Sequence, residues 1–180
     1  MPARISADLA GLARIYFAIA IWRRGPQDLP AVGILLPLTV AAYVLLMAAL
    51  GAALPVMPAG WRWQLALDVL FMLAWYWVLL AIAGRRERYV QTAAALFGLQ
   101  TVLAAPTMLL GWLMQRVGTD DSLRLPLQFA ALALSIWELV AVGHIVRSAI
   151  ERALGLCLLL ALLQMLVEAL LVIGLFGPVR

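Results

Sequence analysis

Five apolar stretches of this chain are each long enough to cross a bilayer, and the arginines gather in alternate gaps between them. The stretches cover about 30–54, 63–83, 90–113, 126–146 and 153–176. A helix rises about 1.5 Å per residue, so about 20 residues cross a hydrocarbon core roughly 30 Å thick. Backbone polar groups in lipid must be satisfied within the segment, which leaves the helix as the form for such runs. The expectation is an all-α, polytopic membrane protein with five transmembrane helices. Composition agrees: 66% of residues are hydrophobic and 12% charged, against about 45–50% and about 25% in a soluble domain. That excess has no place in one small aqueous core, so lipid must solvate much of it.

The N-terminal segment differs from the five spans. Ile5, Leu9, Leu12, Tyr16 and Ile19 recur at three- and four-residue spacing, which is one helical face. Arg14 interrupts the segment, and Arg23 and Arg24 close it. A spanning helix would hold Arg14 near the bilayer centre at roughly +2.5 to +3.5 kcal/mol. An amphipathic helix lying in the interface avoids that cost. Residues 1–29 are therefore expected to form a cytoplasmic, interfacial amphipathic segment, and 30–180 a single five-helix transmembrane domain. No A-x-A-like cleavage site follows a short apolar core, so the segment is not read as a cleavable signal. Gly25, Pro26 and Pro30 break the chain, and Pro55, Pro58 and Gly60 make the loop after the first span. Pro106 falls inside the third span, where a kink is expected. A polar loop containing Gly118, Asp120 and Asp121 precedes the fourth. Two small-xxx-small pairs, Ala48 with Ala52 and Ala94 with Gly98, offer close-packing faces.

Topology follows from the arginines. Arg4, Arg14, Arg23, Arg24, Arg85, Arg86, Arg88, Arg147 and Arg152 fall on one side of the expected topology; Arg62, Arg116, Arg124 and Arg180 fall on the other. The positive-inside rule then makes the N-terminus cytoplasmic. The C-terminus is expected on the periplasmic or external face of a bacterial inner (plasma) membrane. Trp61, Trp63 and Trp112 then sit near the outer interface and Trp22 near the inner one. The net charge of +4 does not point to nucleic acid, because the arginines flank apolar runs. The bilayer is the first partner, followed by a membrane protein or a second copy of the chain.

Three acids lie inside spans: Asp68, Glu138 and Glu168. An intramembrane ionisable group is costly and is a functional candidate by default. Asp68 lies six residues from Arg62, roughly 9 Å from the outer boundary. Glu168 lies sixteen residues from Arg152, roughly 24 Å from the inner boundary and so also in the outer half. The two share a depth if the second and fifth spans are neighbours. Glu138 lies nine residues from Arg147, roughly 13 Å from the inner boundary and close to mid-membrane. Gln100 and Gln164 fall at similar mid-depth, and Gln164 shares a helix face with Glu168. One reading is a polar path through Glu138, Gln100 and Gln164 toward Glu168 and Asp68, since a protonatable carboxyl in low dielectric can exchange a proton or bind a cation. The other is interhelical hydrogen bonding, worth about 1 kcal/mol per contact. His144 lies about one turn inside the inner boundary and completes the candidate polar residues.

Catalysis has no residues to claim it. GxSxG, HExxH, P-loop and GxGxxG motifs are absent. A single histidine and a single cysteine, Cys157, leave no multi-histidine metal site, paired haem ligation or CxxC pair within one chain. No metal or cofactor is expected. The run Trp75-Tyr76-Trp77 points around most of a helix and is read as packing.

The arginine-rich leader ending Arg23-Arg24-Gly25-Pro26, the five closely spaced spans and the stretch Trp137-Glu138-Leu139-Val140-Ala141-Val142-Gly143-His144 together resemble the bacterial branch of the Yip family of five-span membrane proteins. The resemblance covers most of the chain and implies a membrane-embedded protein without assigned catalysis. The short soluble-side signatures of eukaryotic members are absent, so their partnership with small GTPases is not carried over. The first functional expectation is a non-enzymatic inner-membrane scaffold, assembly factor or accessory subunit of a membrane complex. The second is a small transporter or channel component with a protonatable path through Glu138, Gln164 and Glu168.

Overall fold

The apolar runs fold as helices whose ends fall where arginine, glycine and proline interrupt them. A computed structural model describes the backbone of residues 2–54, 60–117 and 121–177, and the side chains of 11–54, 60–117 and 122–177. The helices are α1 (Pro2–Ala20), α2 (Leu35–Ala53), α3 (Trp61–Ile82), α4 (Tyr89–Val117), α5 (Asp121–Ile150) and α6 (Leu154–Phe176), with short 3-10 turns at Pro26–Asp28 and Arg86–Arg88. There is no strand among the described residues. Helices α2 to α6 are long and apolar enough to cross a membrane. Pro55, Pro58, Gly118 and Asp120 lie outside the described residues.

Two boundaries depart from the sequence pattern. α4 and α5 are 29 and 30 residues long, because each continues past its apolar window into residues that still favour a helix. α5 begins at Asp121, upstream of Pro126. Proline's fixed φ suits a helix, and the carbonyl it frees lies in the first turn, outside the apolar window. α4 runs through Pro106 as one helix. Gly84 takes φ +69° just beyond α3, a left-handed value that costs glycine little. There the Arg85 N–H donates to the Leu80 carbonyl at 2.8 Å.

α4 is the central element. Half of its apolar window is buried inside the protein, against 17% for α2, α3 and α6. α2, α3, α5 and α1 all pack on it, while α6 packs on α5 and α3. The core joins Leu96, Phe97 and Leu99 of α4 to Met72, Tyr76 and Leu80 of α3 and to Ile145 and Val146 of α5. Outside it, Leu45, Trp63 and Ile82 are 70%, 73% and 81% exposed. Such a sheath of large apolar side chains is at rest only against hydrocarbon or another apolar surface.

Of the two small-residue pairs, Ala94 and Gly98 are both buried. Ala52 is exposed and Ala48 only half-buried, so no close-packed face forms there. What meets Gly98 is α1. The Tyr16 ring lies where a Cβ would stand, its Cδ1 only 2.0 Å from that position. Leu12, Ile15 and Tyr16 pack against the core, and Ile19 and Ala20 are wholly buried. The Trp137 indole N–H donates to the Ala20 carbonyl at 2.7 Å. The described part of α1 thus packs on α4 and α5, with Arg14 and Phe17 exposed; the side chains of Ile5 and Leu9 lie outside the described residues.

Candidate functional site: a carboxyl layer inside the bundle

Helical periodicity sets the layer. On α3, Asp68, Met72, Tyr76 and Leu80 recur every four residues, so one inward stripe carries a carboxyl, two apolar side chains and a phenol. On α6, Cys157, Ala161, Gln164 and Glu168 make the matching stripe. α2 contributes Tyr43, α4 Gln100 and α5 Glu138. All five long apolar helices therefore supply a polar group to the interior.

Three hydrogen bonds join side chains of the layer. The Tyr43 hydroxyl donates to Asp68 Oδ2 at 2.8 Å. Asp68 of α3 and Glu168 of α6 line one cleft together. Gln164, one turn earlier than Glu168 on α6, accepts at its Oε1 from the buried Tyr76 hydroxyl. Separately, Gln100 Nε2 donates to Glu138 Oε1 at 2.7 Å. Asp68 and Glu138 are thus bonded to a phenol and an amide, whereas the ion pairs among the described residues lie elsewhere, between Glu151 and Arg85 and Arg88.

Two clefts reach the layer. One of about 220 Å³ is lined by Tyr43, Trp61, Gln64, Asp68, Met108 and Glu168. Another of about 410 Å³ is lined by Ser135, Glu138, Met165 and Glu168. Glu168 and Val172, one turn apart on α6, border both.

The structure thus brings Asp68 and Glu168 to one cleft, as the contact between α3 and α6 allows, and Gln100 to Glu138. Gln164 turns to Tyr76. His144 is six residues along α5 from Glu138, about 9 Å away along the axis, and its carbonyl accepts from the Ser148 hydroxyl at 3.0 Å; it takes no part in the layer. Tyr43 was not singled out from the sequence, and Tyr76 was read there as packing. The run Trp75-Tyr76-Trp77 splits by direction: Trp77 is exposed, Trp75 stacks beside Phe71 at 5.6 Å, and Tyr76 turns inward. For Tyr76 the available signal was a phenol eight residues from Asp68 on the same helix face.

A second polar cluster closes the arginine-rich end. Arg85 Nη2 and Arg88 Nη2 each meet one oxygen of Glu151 at 2.6 Å. Arg88 Nη1 also donates to the carbonyls of Ser148 and Ala149 at 3.1 and 3.2 Å. The hydrogen bond from Arg88, then the charge of Arg85, hold the Glu151 carboxyl below the ordinary carboxylate range. A depressed native value means stability that is present above the unfolded-state value and lost as pH falls through the native one. Glu151→Gln is therefore expected to melt below the wild type at neutral pH. That gap should close as pH drops below about 4, the ordinary glutamate range. Melting curves across that range check it; a gap that persists in acid contradicts the pairing.

The chain gives no match to a protein-family model, a curated protein or a solved structure. What the layer can do is therefore argued from its own chemistry.

Proposed function

We propose that this is a small transporter or channel component that moves protons, alone or with a coupled solute, through the layer formed by Asp68, Glu168 and Glu138. The observation that carries this reading is that Asp68 and Glu168 line one cleft, Glu138 and Glu168 a second, so that Glu168 borders both. Helices can be held together as well by serine, threonine or amide contacts as by carboxyls. Acids joined to neutral partners are better suited to taking up and releasing protons than to fastening helices. Glu168, Gln164 and Glu138 are the path residues, with Tyr43, Tyr76 and Gln100 orienting them. The arginine asymmetry supports a cytoplasmic N-terminus and an external C-terminus in a bacterial inner membrane. Arg14, on the exposed side of α1, supports an interfacial position for that helix.

The competing reading is a scaffold or accessory subunit, in which the same groups serve only as interhelical bonds. The test is proton flux in vesicles containing the purified protein. The wild type should dissipate an imposed pH gradient faster than protein-free vesicles. Glu138→Gln keeps the shape and the hydrogen bond to Gln100 but removes the titrating group; it should fold normally and slow the flux. Full flux in Glu138→Gln, or no wild-type flux together with a stoichiometric membrane-protein partner, favours the scaffold.

A further inference from the structure

The arginine-rich end of the bundle carries a second property, independent of the carboxyl layer. The fold brings three separate segments together there. A cleft of about 350 Å³ is lined by Pro26 and Gln27 of the linker, Arg88 and Gln91 at the start of α4, and Ser148 and Glu151 at the end of α5. Within three residues of these lie Arg23, Arg24, Arg86, Arg147 and Arg152. Arg85 and Arg88 are taken up by Glu151, and Arg86 stacks over Trp77 at 5.4 Å. Arg23, Arg24, Arg147 and Arg152 are exposed and enter no ion pair among the described residues. Of the nearby acids, Asp28 accepts from the Gly25 N–H at 2.9 Å and Glu87 is exposed. Four exposed arginines thus flank, in sequence, the segments that line this polar cleft.

We infer that this end is a docking collar for the phosphates of anionic phospholipid headgroups. A guanidinium offers a phosphate two parallel N–H donors, so four exposed ones on the segments of one cleft suit that chemistry. The position selects a lipid as the source of the phosphate. Trp77 is 51% and Ile82 81% exposed immediately beside Arg85 and Arg86. The charged end therefore begins where the apolar sheath ends, at the height where headgroups lie. Each arginine near an acidic leaflet adds roughly fivefold to association.

Spin-labelled phospholipids give the test, read as the association of phosphatidylglycerol relative to phosphatidylcholine with the full-length protein in bilayers. The wild type should prefer phosphatidylglycerol by at least about tenfold at low ionic strength and lose most of that preference in high salt. Arg23→Gln with Arg24→Gln, and Arg147→Gln with Arg152→Gln, should each lower the preference, and the four together should bring it close to one. Arg62→Gln with Arg116→Gln, at the other end, should leave it unchanged. Should the fourfold variant fail to fold, the two paired variants carry the test alone. Equal association of both lipids with the wild type overturns the inference, as does an undiminished preference in the paired variants. Displacement of the lipid by millimolar inorganic phosphate assigns the collar to a free anion and overturns it too.

Discussion

Gly98→Ala is expected to loosen α1 from the bundle. The new methyl would stand 2.0 Å from Tyr16 Cδ1 and 2.2 Å from Cε1, well inside any contact distance. The obstacle is the body of the ring rather than a flexible tip, and its helix is pinned on either side by Ile15 and by the wholly buried Ile19. The ring must move or the helix must lift, and overpacking of this kind costs about 1–3 kcal/mol. Arg14, exposed in the middle of α1, gives the readout. Trypsin cuts a helical site only when the segment opens locally. Cleavage after Arg14 should accelerate roughly ten- to a hundredfold, as the same energy dictates. Tyr16→Ala in the Gly98→Ala background removes the clash and should restore part of the protection. Wild-type cleavage in the single variant contradicts the docking of α1 on Gly98.

Gln164→Leu should be among the most destabilising single changes in the spanning helices. Tyr76 is 1% exposed and Gln164 4%, and the Tyr76 hydroxyl has Gln164 Oε1 as its acceptor. Leucine fills the space but leaves a buried phenol without a partner, which costs about 1–3 kcal/mol. Tyr76→Phe makes the reverse error, stranding the amide. The double variant Tyr76→Phe/Gln164→Leu replaces both partners by apolar groups and should recover most of the loss, since removing both ends of a buried bond is far cheaper than removing one. A double-mutant cycle in denaturing detergent measures this coupling. Additive losses in the double variant contradict the bond.

The architecture was legible because its causes are local. Apolar runs of bilayer length and the arginines between them specify five long helices, and helix rise places Asp68 and Glu168 at one depth. Their sharing of one cleft then needs only that α3 and α6 be neighbours, as they are. The length of α5 was less legible. Pro126 reads as a boundary, yet proline is compatible with a helix wherever the carbonyl it frees is near the end. Tyr43 escaped notice and Tyr76 was read as packing because a phenol counts as apolar in a hydropathy pattern while its hydroxyl behaves as a polar group once buried. The seating of Tyr16 on Gly98 and the capture of Glu151 by Arg85 and Arg88 depend on segments dozens of residues apart. Periodicity within one helix carries no information about such pairs.

The most direct test of the carboxyl layer is the initial rate of proton flux through vesicles holding equal amounts of wild-type protein or Glu168→Gln, at a fixed pH gradient and clamped potential. Glu168 is the acid that borders both clefts and shares one of them with Asp68, so its replacement by the near-isosteric amide should reduce the rate to that of protein-free vesicles while leaving the fold intact. A folded Glu168→Gln protein that conducts protons at the wild-type rate would contradict the proposal.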